Sequence, residues 1–101
     1  MIARTWRGTT TAARADEYLE YLKETGVKEY AATEGNRGVF VLRRISDGRA
    51  EFLLVSLWDS MDDVKRFAGE QAERAVFYPE DDEFLVDREI EAIHYEVLVA
   101  P

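Results

Sequence analysis

The only histidine of the chain, His94, is the side chain best suited to proton transfer near neutral pH. Because the unperturbed pKa of histidine lies close to neutrality, its imidazole can take a proton from a substrate and release it later. A lone histidine within a strand is also commonly structural or exposed to solvent. We therefore take His94 as the candidate general base, with a structural role as the alternative.

A second group of residues could form a pocket for a flat aromatic ligand. The indole of Trp58 could stack on such a ligand, Ser56 lies on the same strand, and the cation of Arg37 could stabilise a developing phenolate. Phe67, on the following helix, and Tyr78, in a later loop, could close the pocket. The ordinary alternatives are a core role for Trp58, a surface charge for Arg37 and a loop anchor for Tyr78.

Other signatures of catalytic or metal sites are missing. The chain has no cysteine, which excludes disulfides, thiol nucleophiles and thiolate metal ligands. The acidic run from Glu80 to Glu83 lacks the spacing of a calcium loop, so we interpret it as a solvated loop. The stretch from Gly35 to Gly38 is too short for a phosphate-binding fingerprint and predicts a turn. We expect neither a metal ion nor an organic cofactor.

The first third of the chain predicts a strand followed by a helix. Ile2 to Arg7 alternates in polarity and is rich in strand-forming residues. The threonines at 9 to 11 are candidates for a helix N-cap, and Ala12 to Thr25 carries an apolar stripe at helical spacing. Gly26 predicts the end of that helix. Val27 to Thr33 is interpreted as a short strand or extended segment.

The centre of the chain predicts a β-hairpin around the two-residue turn Asp47-Gly48. Its strands are Val39 to Ile45 and Ala50 to Trp58. If Ser46 faces Arg49, the register follows on both faces. On one face, Arg44 then pairs with Glu51, Leu42 with Leu53 and Phe40 with Val55. On the other face, Arg43 pairs with Phe52, Val41 with Leu54, Val39 with Ser56 and Arg37 with Trp58.

The two faces of this hairpin differ in chemistry. Leu53, Val55 and Leu57 form a purely apolar row, which predicts packing. The opposite row mixes apolar residues with the hydroxyl of Ser56 and the indole of Trp58, as expected where a ligand lies. The sequence leaves open which face meets a partner subunit.

The last part of the chain predicts a second helix and a final strand. Ser60 and Asp63 resemble a capping box at the start of a helix that ends near Gly69. Glu70 to Phe77 could add a short helix, and the acidic loop follows. Glu91 to Ala100 alternates in polarity and predicts the last strand.

The predicted order of elements indicates one α+β domain over residues 1–101, a ferredoxin-like antiparallel sheet with helices on one face. The helices can cover only one face of that sheet. Because the other face is also apolar, a monomer would expose a large hydrophobic surface. We therefore expect a homodimer that packs sheet face against sheet face.

Composition limits the partners and the location of the protein. A formal charge of −8 argues against nucleic acids and anionic membranes, which require clustered lysine and arginine. The first residues lack the long apolar core of a signal peptide, and no apolar run is long enough to cross a bilayer. We expect a soluble cytoplasmic protein that binds a small aromatic molecule.

Taken together, several segments give the chain a clear family resemblance. It resembles the antibiotic biosynthesis monooxygenase-like family, whose members are small dimeric α+β barrel proteins. The segments are Ala15 to Leu19, Gly35 to Val39, Ser56 to Ser60, Phe67 to Gly69, Ala75 to Asp81 and His94 to Val97.

The resemblance implies oxygen chemistry. Some members oxidise polycyclic phenols with molecular oxygen and without metal or flavin, and the substrate itself supplies the electrons. Related members degrade haem with an asparagine on the first strand, a tryptophan and a helix-borne histidine. Here the only asparagine is Asn36 and His94 lies in a strand, so haem degradation does not fit. We expect a cofactor-independent monooxygenase, with a non-catalytic binding or stress-related dimer as the alternative.

Overall fold

The computed structural model describes all 101 residues as an antiparallel sheet with helices on one face. The elements are β1 (Ile2–Thr11), a 3-10 turn (Ala12–Arg14), α1 (Ala15–Glu24), α2 (Gly26–Ala32), β2 (Asn36–Ser46), β3 (Arg49–Trp58), α3 (Met61–Ala68), α4 (Asp81–Phe84), β4 (Leu85–Arg88) and β5 (Ile93–Glu96). The strands lie in the order β2-β3-β1-β4, and β5 also pairs with β1. The predicted α+β architecture is confirmed. No helix is long and apolar enough to cross a membrane.

The central hairpin forms as predicted. Asp47 and Gly48 both have positive φ, 52° and 75°, which is the backbone of the tight turn that matches strand twist. Ser46 pairs with Arg49, and the predicted register holds from there to the pair of Val39 with Ser56. The turn therefore decides which side chains of β2 and β3 point to each face.

The helices cover only the mixed face of the hairpin. Along β3, Phe52, Leu54, Ser56 and Trp58 are all buried, whereas the residues between them are only half-buried. The row predicted to be pure packing therefore lies on the open side of the sheet. It is surrounded there by other apolar side chains with large exposed fractions, Phe40 (56%), Leu42 (47%), Ile93 (45%) and Tyr95 (54%).

The segment after α1 is a helix, and the prediction of an extended segment there is wrong. Thr25 interrupts the helical path with φ −112° and ψ −96°, and α2 begins immediately at Gly26. Gly26 therefore starts a helix instead of ending one. Burial explains the difference, because α2 brings Tyr30 against the rings of Trp58 and Phe67.

The first strand is longer than predicted. It continues past Arg7 because Thr9, Thr10 and Thr11 pair with the start of β3. The prediction that these threonines cap a helix is wrong. Thr11 does precede the 3-10 turn, but its side chain makes no capping hydrogen bond.

The predicted short helix from Glu70 to Phe77 is wrong. Long-range backbone bonds replace helical ones: the N–H of Ala75 donates to the carbonyl of Ile90 at 3.0 Å, and the N–H of Ala92 donates to Glu73 at 2.7 Å. This part of the chain therefore lies across the end of the sheet as an irregular segment.

The last strand is shorter than the predicted range Glu91 to Ala100, and an unpredicted strand, β4, precedes it. β4 pairs with Gly8–Thr10 and β5 with Ile2–Thr5, so both lie along the same edge of β1. Because β1 begins at Ile2, residues beyond β5 have no strand to pair with. The final bond joins the N–H of Val97 to the carbonyl of Met1 at 2.9 Å.

Candidate functional site

A cavity of about 30 Å³ lies between the buried face of the sheet and the helices. Its lining is mostly aromatic and aliphatic and includes Tyr18, Tyr30 and Phe67. Arg4 and Asp81 are the only charged side chains that reach it. A space of this size holds about one or two water molecules, so a larger ligand requires part of the wall to move.

Arg4 is the most unusual residue of the cavity. It lies on β1 between the inward-facing residues Ile2 and Trp6 and is only 4% exposed. Its guanidinium donates to the carbonyls of Ala72 and, at 3.0 Å, Arg74. It forms no salt bridge. Burial lowers its pKa, and the nearby Tyr30 and Glu73 oppose the fall, although an arginine remains charged in a protein. The site therefore contains a buried cation that no carboxylate contacts directly.

His94 lies behind this cation and does not line the cavity. It faces Arg4 across the β1–β5 pair, and its Nε2 atom is 2.9 Å from Nη1 of Arg4. Because a guanidinium can only donate, Nε2 accepts and the neutral imidazole carries its proton on Nδ1. Burial and the neighbouring Arg4 lower the pKa of His94. The geometry gives His94 a role in holding Arg4 rather than free access to a substrate.

Trp58 and Ser56 form a layer beneath the cavity. Trp58 is fully buried, and its indole N–H donates to the hydroxyl of Ser56 at 2.9 Å. The rings of Tyr30 and Phe67 pack against Trp58 with centroids 6.1 and 5.8 Å away. Neither predicted pocket residue touches the cavity directly. They support the residues that do.

Phe67 and Tyr78 both line the cavity. Phe67 is carried by α3. The start of this helix is fixed as predicted by Ser60, the hydroxyl of which accepts from the N–H of Asp63 at 3.3 Å. The hydroxyl of Tyr78 donates to the carboxylate of Glu29. Burial is the larger cause and this carboxylate the smaller cause of the raised pKa of Tyr78, so its phenol stays protonated at neutral pH.

The prediction that Arg37 faces Trp58 is wrong. A bulge pairs Asn36 with Trp58 and leaves Arg37 out of the ladder. The side-chain oxygen of Asn36 accepts from the N–H of Gly38, which has a φ of 123°. Arg37 instead points to solvent and forms two bonds of 2.7 Å with Asp59.

Asp81 supplies the second charge of the cavity. It is only 4% exposed and accepts from the hydroxyl of Tyr18 at 3.3 Å and from the N–H of Tyr78 at 2.6 Å. Burial raises the pKa of Asp81, and these bonds together with Arg88 oppose the rise. The predicted solvated loop is therefore wrong at this position, where α4 begins, although the other acidic residues of the run are exposed.

Tyr30 adds a phenol between these charges and the aromatic wall. It is 7% exposed and lines the cavity on the helix side. Burial raises the pKa of Tyr30 to about 12, and the nearby Arg4 opposes the rise. Its hydroxyl therefore remains protonated and can donate to an anionic oxygen in the cavity.

The sequence prediction missed Arg4, Tyr30 and Asp81. Arg4 had a usable signal. Residues 2, 4 and 6 of a strand point to the same side, so Arg4 lies with Ile2 and Trp6 on the apolar face of β1. Tyr30 was hidden by the wrong assignment of α2. Asp81 had no signal, because nothing in a run of acidic residues marks the buried one.

Comparison with known proteins identifies the family. The sequence model of the antibiotic biosynthesis monooxygenase family matches residues 1–77. The chain belongs to this family. No curated protein sequence matches at a significant level. The match ends just before Tyr78, so it includes β1 and Arg4 but not Asp81.

Solved structures of the family share the fold. A Bacillus cereus protein described as an antibiotic biosynthesis monooxygenase superposes with a TM-score of 0.70 and 18% identity, over 100% of this chain and 94% of that one. A Nitrosomonas europaea protein with the same description gives 0.67 and 12%, over 96% and 89%. The haem degrader MhuD of Mycobacterium tuberculosis, solved with two haems in its active site, gives 0.62 and 16%, over 100% and 99%. These likenesses confirm the ferredoxin-like α+β fold.

The residues present do not fit a histidine-ligated haem. A haem iron needs an axial ligand, most often a histidine nitrogen. His94 is the only histidine, its Nε2 is held by Arg4, and it lies outside the cavity lining. No group of three or more His, Asp or Glu side chains is placed to hold a metal ion either.

Proposed function

We propose that the protein is a cofactor-independent monooxygenase that oxidises a small electron-rich aromatic of the phenol or quinol type with molecular oxygen. The observation that carries the proposal is the guanidinium of Arg4, which is buried beside an aromatic cavity and in direct contact with no carboxylate. A phenolate would supply a negative charge in contact with it and pack against the rings of Phe67 and Tyr30. Family membership supports the same chemistry.

The proposed reaction is written for an anthrone, whose central ring carries a CH₂ group opposite a carbonyl. Loss of one proton leaves an electron pair shared between that carbon and the ring oxygen, and Arg4 stabilises the charge on the oxygen. The carbanion then attacks oxygen. One C–O bond forms, the O–O bond breaks, the CH₂ group becomes a carbonyl, and the second oxygen atom leaves as water. The substrate provides all the electrons, so the reaction needs no reductant.

Entry of such a ligand requires a movement in the cavity wall. We call residues 69–80 the covering segment, because Ala75, Val76 and Tyr78 line the cavity from it and it has no regular secondary structure. Arg4 binds this segment through the carbonyl of Ala72. A phenolate that takes over the guanidinium would release that contact, so binding and opening are coupled in this proposal.

Oxygen consumption tests the proposed function. The protein is incubated aerobically and anaerobically with anthrone, a naphthoquinol and a benzoquinol, with heat-denatured protein as the control for spontaneous oxidation. We expect oxygen uptake above the control, and one labelled atom in the product formed from anthrone when ¹⁸O₂ is used. No uptake with any of these substrates would refute the oxidation. Binding without turnover would favour the non-catalytic alternative, for which the small size of the cavity is the supporting observation.

We also propose that two chains pack through their open sheet faces. The apolar row of Leu53, Val55 and Leu57 is uncovered, and Phe40 beside it is 56% exposed. Exposed apolar surfaces of this kind are typical of protein–protein contacts. A two-fold dimer buries the face against an identical one and needs no other partner. Light scattering at micromolar concentration tests it, and a monodisperse 11.6 kDa species would refute it.

A further inference from the structure

We propose that Asp81 is the base that removes the substrate proton, at the opposite end of the cavity from Arg4, and that the substrate is therefore an aromatic with an acidic C–H or O–H on one side and an oxygen on the other. This inference rests on the proposed function. It assigns the proton transfer to a carboxylate and leaves His94 as a positioning residue for Arg4.

The geometry of Asp81 suits a proton acceptor. It is the only carboxylate that lines the cavity, and it is almost completely buried. One of its oxygens accepts from Tyr18 and the other from the N–H of Tyr78. Each carboxylate oxygen can accept more than one hydrogen bond, so a substrate proton can still be received. These two bonds hold the group in place between α1 and the covering segment.

Arg4 and Asp81 reach the cavity near different positions along β3. Arg4 pairs with Ser56, whereas Tyr18, the partner of Asp81, packs on Phe52 with ring centroids 5.1 Å apart. Ser56 and Phe52 are four residues apart on β3, which corresponds to about 13 Å along a strand. The cation and the carboxylate therefore approach a shared space from separate directions.

This separation matches the chemistry of an anthrone. The proton leaves from the CH₂ carbon on one side of the ring while the negative charge develops on the oxygen at the other side. A C–H bond breaks, the proton moves to an oxygen of Asp81, and the electron pair stays on the substrate near Arg4. A ligand with negative charge at both ends would be repelled by the carboxylate.

The surroundings of Asp81 keep it basic. Burial raises the pKa of its carboxyl above the usual range, which makes it a stronger base than an exposed aspartate. The groups that face it are the hydroxyl of Tyr18 from α1, the N–H of Tyr78 from the covering segment, Arg88 from β4 and Asp82 from its own helix. Arg88 forms its ion pair with Asp82 at 2.7 Å, so Asp81 has no cation bound to it.

The test separates proton removal from oxidation. Exchange of the CH₂ protons of anthrone for deuterium is followed by NMR under strictly anaerobic conditions, with wild type, Asp81→Asn and Glu83→Gln. Asparagine keeps the shape of the side chain and can still bond to Tyr78 and Tyr18. We expect exchange to fall about 100-fold or more in Asp81→Asn and to change less than about twofold in Glu83→Gln, whose carboxylate is exposed and forms no ion pair.

Each outcome has a separate meaning. Exchange that persists in a folded Asp81→Asn overturns the role of Asp81, as does a wild type that consumes oxygen without catalysing exchange. Catalysed exchange that depends on Asp81 but leads to no oxygen uptake supports the base and refutes the oxidation. If Asp81→Asn does not fold, the pH profile of wild-type exchange decides. A rate that reaches its plateau in the acidic range supports a carboxylate, whereas a plateau only above neutrality that His94→Gln abolishes overturns the proposal.

Discussion

Replacing Arg4 with methionine removes the buried cation while keeping a long apolar side chain in the core. The substitution removes the donors to the carbonyls of Ala72 and Arg74, which costs about 1–3 kcal/mol for a buried group left unpaired. It also removes the penalty of burying an unpaired cation, which acts in the opposite direction. Because the two effects oppose each other, we expect a folded protein that is destabilised by no more than about 1–3 kcal/mol.

Arg4→Met should weaken the binding of an anionic ligand by more than it destabilises the fold, and no opposing effect offsets this loss of affinity. A hydrogen bond to a charged group contributes about 1.5–3 kcal/mol, which corresponds to a loss of about 10- to 150-fold in phenolate affinity. Because one pH unit corresponds to 1.36 kcal/mol, the apparent pKa of a bound phenol should rise by about 1–2 units in Arg4→Met. Neutral aromatic ligands should bind almost unchanged, because the aromatic wall remains.

4-Nitrophenol provides the measurement, because only its phenolate is strongly coloured in the visible range. The bound fraction is titrated by absorbance over a range of pH, with Arg7→Met as the matched control. Arg7 lies on the same strand, but its side chain is 46% exposed and pairs with Glu51 on the other side of the sheet. An Arg4→Met protein that binds nitrophenolate as tightly as wild type, with the same apparent pKa, would refute the anion site.

Further predictions concern assembly, opening, pH and haem. Phe40→Lys should shift a dimer towards monomer in light scattering, whereas Ile90→Lys, at an exposed loop position, should not. Saturating nitrophenolate should speed hydrogen exchange at the N–H of Ala92, which holds the covering segment, and unchanged exchange would show that this segment stays closed. Because folding raises the pKa of Asp81, its contribution to stability falls as the pH rises from the ordinary carboxyl range through the folded pKa. Asp81→Asn should remove that decline in thermal unfolding, and Glu83→Gln, at an exposed position of the same acidic run, should not. Titration with haemin should give no Soret shift beyond that of a non-specific protein control.

The fold followed from the sequence wherever a local signal agreed with the tertiary contacts. The turn at Asp47-Gly48 needs positive φ at both positions, and this requirement fixed the hairpin register over nearly its whole length. The sequence failed where distant contacts decided the structure. Residues 26–32 form a helix because burial of Tyr30 against Trp58 outweighs a weak local pattern. The last strand is short because its partner β1 ends, which no local pattern of β5 could show.

The candidate site was predicted less well than the fold, for the same reason. Phe67, on the helix after β3, and Tyr78, in a later loop, were named as pocket candidates, and both line the cavity. Arg37 was misplaced by a bulge of a single residue, since one extra residue turns a side chain to the other face. Asp81 became buried through its bond to Tyr18, from a helix distant in sequence. Such pairings cannot be read from one segment alone.

In the function proposed here, Arg4, which faces inward from β1, selects the ligand. A permanent cation at Arg4, held by carbonyls and by His94, costs stability unless a ligand supplies the opposite charge. On its own side of the cavity, the carboxylate of Asp81 disfavours negative charge on the ligand. A ligand that satisfies both must become negative at one end while it gives up a proton at the other. Because a neutral anthrone reaches that state only during deprotonation, the two charges stabilise the ionised substrate more than the neutral one, which is the condition for catalysis.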